Sequence, residues 1–150
     1  MLLDAALAYA HFVAVFLVFG TLSAEAFIVR LPANAATLRL LARVDLLFGI
    51  SAGLAVAAGL ARVYFGAKGA AYYWAEPFFW AKMAAFAIVG LISIVPTLRF
   101  IRWRKAAAAD GAFVAPEADM KAVRRLIMIE LHLFALIPLF AVLMARGIGL

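Results

Sequence analysis

Few side chains in this sequence can do chemistry, and most of those stand inside or at the ends of long apolar runs. They are His11, Glu25, Asp45, Arg62, Lys82, Glu130, His132 and Arg146. An ionisable group at bilayer depth costs about 2.5–3.5 kcal/mol on insertion scales, so it faces protein or water rather than lipid. Placed along the runs, these groups fall into two layers. His11, Arg62, Lys82 and Arg146 lie toward one membrane face, and Glu25, Asp45, Glu130 and His132 toward the other. His11, Val15, Val18, Leu22 and Glu25 follow a heptad stripe, which turns the imidazole and the carboxylate to one helix face and into a bundle interior. An imidazole so placed can be a metal or haem ligand, a proton carrier or an interhelical hydrogen-bonder. There is no Cys, which removes disulfides and thiolate ligands. The sequence holds no nucleotide-binding loop, no metal-ligand pair at helical spacing and no Ser–His–Asp signature.

Arg62 and Lys82 bracket GLARVYFGAKGAAYYWAEPFFWAKMAAF, Gly59 to Phe86. Two readings hold for this pair. The cations either snorkel to lipid phosphate and water, or form an anion clamp for carboxylates or phosphates that Arg146 joins. Tyr72, Tyr73, Trp74, Phe78, Phe79 and Trp80 read as an aromatic belt at a membrane–water interface, with a site for a flat ring as the sharper alternative. In the other layer, Glu25, Asp45 and Glu130 stand near Arg30, Arg43, Arg99 and Arg125 in sequence, and ion pairs are expected there. At about 1.5 Å per residue, His132 lies roughly 10 Å deeper than His11. It is expected to partner Glu130 or Glu25 rather than share an iron with His11.

The elements that must hold these groups follow from composition. Of 150 residues, 69% are hydrophobic, against about 45–50% in a soluble domain, and the mean hydropathy is +1.10. Too little polar surface exists to cover a soluble globule. We read an all-α integral membrane four-helix bundle, a single transmembrane domain over 1–150. The bilayer is its first partner; a homo-oligomer or a membrane partner is a further possibility. Nucleic acid is not expected, because the net charge of +6 is divided among short links instead of gathered on one soluble face.

Four runs can cross about 30 Å of hydrocarbon, 5–29, 40–64, 78–101 and 126–145. No segment alternates with period two, so a β-barrel is not expected. The first run is read as a retained span, not a cleaved signal. The first link holds Pro32 and Asn34, and the third, Arg102 to Arg125, holds the turn signal Asp110–Gly111. Gly49 and Gly53, continued by Ala57, read as a helix-packing ridge. Pro96 and Pro138 fall inside the third and fourth spans and are expected to kink them. The first and third links carry ten of the Lys and Arg residues and the rest of the chain four. The positive-inside rule then puts those links in the cytoplasm and both termini outside.

Three segments carry a resemblance. KGAAYYWAEPFFWAK (Lys68–Lys82), SIVPTLRFIRWR (Ser93–Arg104) and LIPLFAVLMARG (Leu136–Gly147) resemble an uncharacterised family of four-helix bacterial inner-membrane proteins, a domain of unknown function. The resemblance implies a multi-pass inner-membrane bundle and no activity. More distantly, AYAHFVAVFLVFG (Ala8–Gly20) and FWAK (Phe79–Lys82) resemble the first-helix His and third-helix Lys of HemJ-type protoporphyrinogen oxidases and of CopD membrane domains. That likeness implies haem b, with His11 and Lys82 as the residues that carry over. If haem binds, His11 is expected as the axial iron ligand, and Arg62, Lys82 and Arg146 as partners of the propionates. The second axial ligand stays open. Three function classes are carried forward: a haem-b redox protein, a non-enzymatic membrane module that packs with a partner, and a small transporter or ion pathway.

Overall fold

A computed structural model describes residues 1–148. The chain forms α1 (Leu2–Ile28), α2 (Ala35–Phe65), α3 (Gly69–Ala75), α4 (Pro77–Ala109) and α5 (Glu117–Ala145). Four of these are long and apolar enough to cross a membrane. The all-α membrane bundle expected from composition is the fold observed.

The four long helices hold 27, 31, 33 and 29 residues. At 1.5 Å per residue each is about 40–50 Å long, which exceeds about 30 Å of hydrocarbon. The excess lies mainly where α2 begins, α4 ends and α5 begins. Arg39, Arg43, Arg102, Arg104, Lys105, Lys121, Arg124 and Arg125 therefore ride on helix extensions. The third link shrinks accordingly from the expected Arg102–Arg125 to 110–116. Hydropathy marks where a helix leaves lipid, whereas Ala, Lys, Arg and Glu go on favouring helix in water.

Local chemistry fixes the ends. The Asn34 side chain accepts from the N–H groups of Ala36 and Thr37 at 3.1 and 3.0 Å and so starts α2. Pro77 opens α4 at a position where its missing N–H costs nothing. Asp110 accepts from Ala112 N–H at 2.9 Å, making the turn that its Asp–Gly pair signalled. Asp4 accepts from Ala67 N–H at 3.0 Å and ties the start of α1 to the α2–α3 link. A side chain at Gly66 would run into the Arg62 carbonyl, so the chain can leave α2 there only as glycine.

Each long helix packs against the next, α1 on α2, α2 on α4 and α4 on α5, and α1 closes the ring more loosely on α5. The ring is packed solidly at its basic end. Leu22, Leu38, Leu41, Phe100, Val123 and Ile127 are completely enclosed there. At the other, aromatic end a smaller buried apolar cluster forms from Val63, Tyr73 and Phe79. That thinner packing leaves the space described below. Outward faces carry Phe16, Phe27, Leu46 and Leu91, as lipid contact requires.

One expectation about packing changes. Gly49, Gly53 and Ala57 lie on an exposed face, and a Cβ at either glycine would meet nothing within 4 Å. The ridge is not a seam inside this bundle, because Asp45, Phe48, Ser51 and Ala55 hold the inward face of α2. Pro96 and Pro138 lie inside α4 and α5, as expected, and both helices continue past them.

Candidate functional site

The α1 and α2 helices run antiparallel and bring His11 level with Ala55. Nδ1 of His11 lies 3.0 Å from the Ala55 carbonyl oxygen. A carbonyl can only accept, so Nδ1 carries the proton and Nε2 keeps a free lone pair. The ring fits this place because residue 59 is glycine. A Cβ there would sit 3.1 Å from His11 Cε1 and 3.4 Å from Nδ1.

One turn beyond Gly59, Arg62 turns toward the same space, with its guanidinium carbon 5.9 Å from the Phe12 ring centroid. Its Nε is buried without a partner. From α4, Lys82 brings its ammonium to 5.4 Å from the Phe79 ring centroid. Neither cation has a carboxylate within ion-pair range among the described residues. His11, Arg62 and Lys82 line one cavity of about 90 Å³, whose remaining walls are apolar, Met83, Phe86 and Ile137 among them.

The short helix α3 covers this cavity. Tyr73 is buried and lines it, with its ring 5.6 Å from that of Phe79. Tyr72 donates its hydroxyl to the Met144 carbonyl at 3.0 Å, which pins α3 to the end of α5. Trp74 and Trp80 face outward, joined by a 3.2 Å bond from the Trp80 indole to the Trp74 carbonyl. The aromatic segment thus divides, with Tyr73 and Phe79 facing in and the two tryptophans facing lipid and water as a belt does. Arg146 caps α5, is exposed, and does not line the cavity.

Glu76 is not among the residues expected to carry chemistry. It is fully buried between Tyr73 and Phe79, and neither carboxylate oxygen has a hydrogen-bond partner. An acid immediately before a proline that opens an apolar run is an N-terminal signal, where a helix dipole favours negative charge. That signal was present in Glu76–Pro77.

The second layer differs from expectation in its partners. Glu25, Asp45 and Glu130 are buried, at 2%, 6% and 1% exposure. Thr97 on α4 donates to Asp45 Oδ1 at 2.7 Å, and Thr97 is a second residue the sequence reading did not pick out. Glu25 and Glu130 each bury a carboxylate oxygen that has no partner. The three carboxyls lie within electrostatic range of one another.

The expected ion pairs to Arg30, Arg43, Arg99 and Arg125 are not formed. Arg99 instead pairs with Asp119 at 2.9 Å, and Arg30 lies 3.8 Å from Met128 sulfur. Of the four arginines only Arg99 meets an acid, one in the first turn of α5. The three carboxylates lie deeper.

His132 also departs from expectation. It is exposed, and its Nδ1–H donates to the Met128 carbonyl of its own helix at 2.6 Å, so it partners neither Glu130 nor Glu25. Residues two apart on a helix do not share a face, and with Glu130 turned inward His132 must point out. Among the described residues no group of three or more His, Asp or Glu is placed to hold a metal ion. A metal here would rest on His11 and a ligand that brings its own donors.

No curated protein and no solved structure matches this chain. A family model described as "Predicted membrane protein (DUF2214)" matches residues 3–149. The match covers nearly the whole chain, and with its four candidate spans the chain belongs to that family of membrane proteins.

Proposed function

We propose that this protein is a multi-pass membrane binding module that takes the acidic head of an amphipathic ligand into the cavity between α1, α2 and α4. The observation that carries the reading is the tethered His11, its Nε2 free, in one apolar cavity with two cations that lack acidic partners. Half-buried cations at membrane depth without acidic partners are costly, and a carboxylate or phosphate from a ligand would offset that cost through charge-assisted bonds.

Among such ligands the donor set suits haem b. His11 would hold the iron, and Arg62 and Lys82 the propionates. Bound haem would supply one-electron redox chemistry at its iron. The protein's own part is to orient the imidazole through Ala55, anchor the acid groups and exclude water beneath α3. The cavity of about 90 Å³ is small beside the roughly 300–1,000 Å³ of sites that enclose a drug-sized ligand. A whole porphyrin therefore enters only if the helices around Phe86 part; a carboxylate-bearing edge fits the space as it stands. In this reading the protein sits in a bacterial inner membrane with both termini periplasmic, as the distribution of Lys and Arg suggests.

Titrating hemin into detergent-purified protein tests the reading. Saturable binding, weakened about tenfold or more when Arg62 and Lys82 are both changed to Gln, supports it. A long-chain fatty acid that raises the melting temperature while the matching alcohol does not would support the acidic-head reading without haem. No effect of either ligand would overturn both.

A further inference from the structure

The loosest seam of the ring, between α1 and α5, leaves a groove of about 380 Å³ on its outward side, at the end of the bundle opposite the cavity. Its walls are apolar over most of their length, with Phe19, Phe27 and Met128 along them. A free inorganic anion gains nothing from such walls, whereas an acyl chain fills them at no cost in polar groups.

The groove ends in charge. Arg30 lines it, is exposed, and has only the Met128 sulfur at 3.8 Å as a partner, which is a weak acceptor. Beside it, Arg124 donates its Nε–H to the Val29 carbonyl at 3.0 Å and approaches Glu117 only to 3.8 Å. Much of the cationic capacity of both guanidiniums is therefore unspent. His132 also lines the groove with its Nε2 free. An apolar trough leading to the Arg30 guanidinium, which has no acidic partner, with the loosely paired Arg124 close by, matches an anionic phospholipid in shape and charge.

We propose that the α1–α5 groove holds one anionic phospholipid, with its phosphate on Arg30 and Arg124 and an acyl chain along Phe19, Phe27 and Met128. This rests on a different seam from the cavity and is independent of any ligand there. Ala135 is exposed and lines the groove, so a bulky residue there blocks the acyl chain without entering the core.

The test is native mass spectrometry of the full chain released from mixed phosphatidylglycerol–phosphatidylcholine nanodiscs. Wild type should retain one phosphatidylglycerol in preference to phosphatidylcholine. Arg30→Gln should weaken that preference about fivefold, and Ala135→Trp should reduce retention of both lipids, with each variant melting close to wild type in lipid-free detergent. Inorganic phosphate at millimolar concentration should not displace the lipid. Equal retention of the two lipids by wild type would overturn the proposal. So would undiminished phosphatidylglycerol retention in both variants, or displacement by inorganic phosphate, which would make the site one for a free anion.

Discussion

A Cβ added to Gly59 would lie 3.1 Å from Cε1 of His11. The glycine on α2 and the imidazole on α1 are thus fitted to each other, and the bond from Nδ1 to Ala55 one turn away depends on that fit. Gly59→Val should displace the ring from Ala55 and destabilise the protein by about 1–3 kcal/mol, the range for overpacking. Gly49→Val, on the exposed face of the same helix, supplies the control. Melting in detergent should fall clearly for the first and little for the second. Equal effects would mean that the close approach at Gly59 has no energetic consequence.

Asp45 and Thr97 yield a second expectation. Asp45→Asn keeps an acceptor for the Thr97 hydroxyl, now 2.7 Å away, and removes one of three carboxyls that repel one another when ionised. Asp45→Leu leaves that hydroxyl without its acceptor, at about 1–3 kcal/mol. Asn should melt at or above wild type and Leu below it. An Asn variant that melts well below wild type would show that Asp45 is held by a cation after all.

The sequence carried much of this arrangement, for reasons that particular residues make clear. The spans were legible because lipid demands about 20 apolar residues in a row. Their ends were not, because Arg102 to Lys105 and Glu117 to Arg125 are polar yet still helical. Depth alone suggested that His11, Arg62 and Lys82 share a layer, and they line one cavity. Depth says nothing of rotation. Arg146 therefore lies outside the cavity, His132 turns away from Glu130, and the Gly49–Gly53 ridge faces outward. Partner choice was the least legible feature. Arg99 is drawn to Asp119, twenty residues on, by how α4 and α5 pair across their short loop.

Tyr72 ties the cover to the bundle through its bond to Met144. Tyr72→Phe removes that bond and the exposed one its oxygen accepts from Lys68 Nζ at 3.0 Å, a hydrogen bond being worth about 0.5–1.5 kcal/mol. Hydrogen exchange over Gly69–Ala75 should speed up while exchange in the core of α2 stays the same. Unchanged exchange in α3 would mean that the aromatic contacts alone hold the cover down.

Orientation is open to a direct assay. A reporter active only in the periplasm should work when fused to the C-terminus and fail when inserted in the 110–116 loop, because the first and third links hold ten of the Lys and Arg residues. Activity in the loop and silence at the C-terminus would invert the topology and place the His11 cavity on the cytoplasmic side.

The central claim is that the His11 cavity takes an acidic amphiphile, haem b foremost. The most direct measurement is the visible spectrum of protein purified from cells supplied with a haem precursor. The account predicts a Soret band of b-type haem in wild type, lost in His11→Ala and kept in His132→Ala, whose ring lies in a separate groove. A colourless wild-type preparation would contradict the haem assignment, and a band lost only in His132→Ala would move the site to the other histidine.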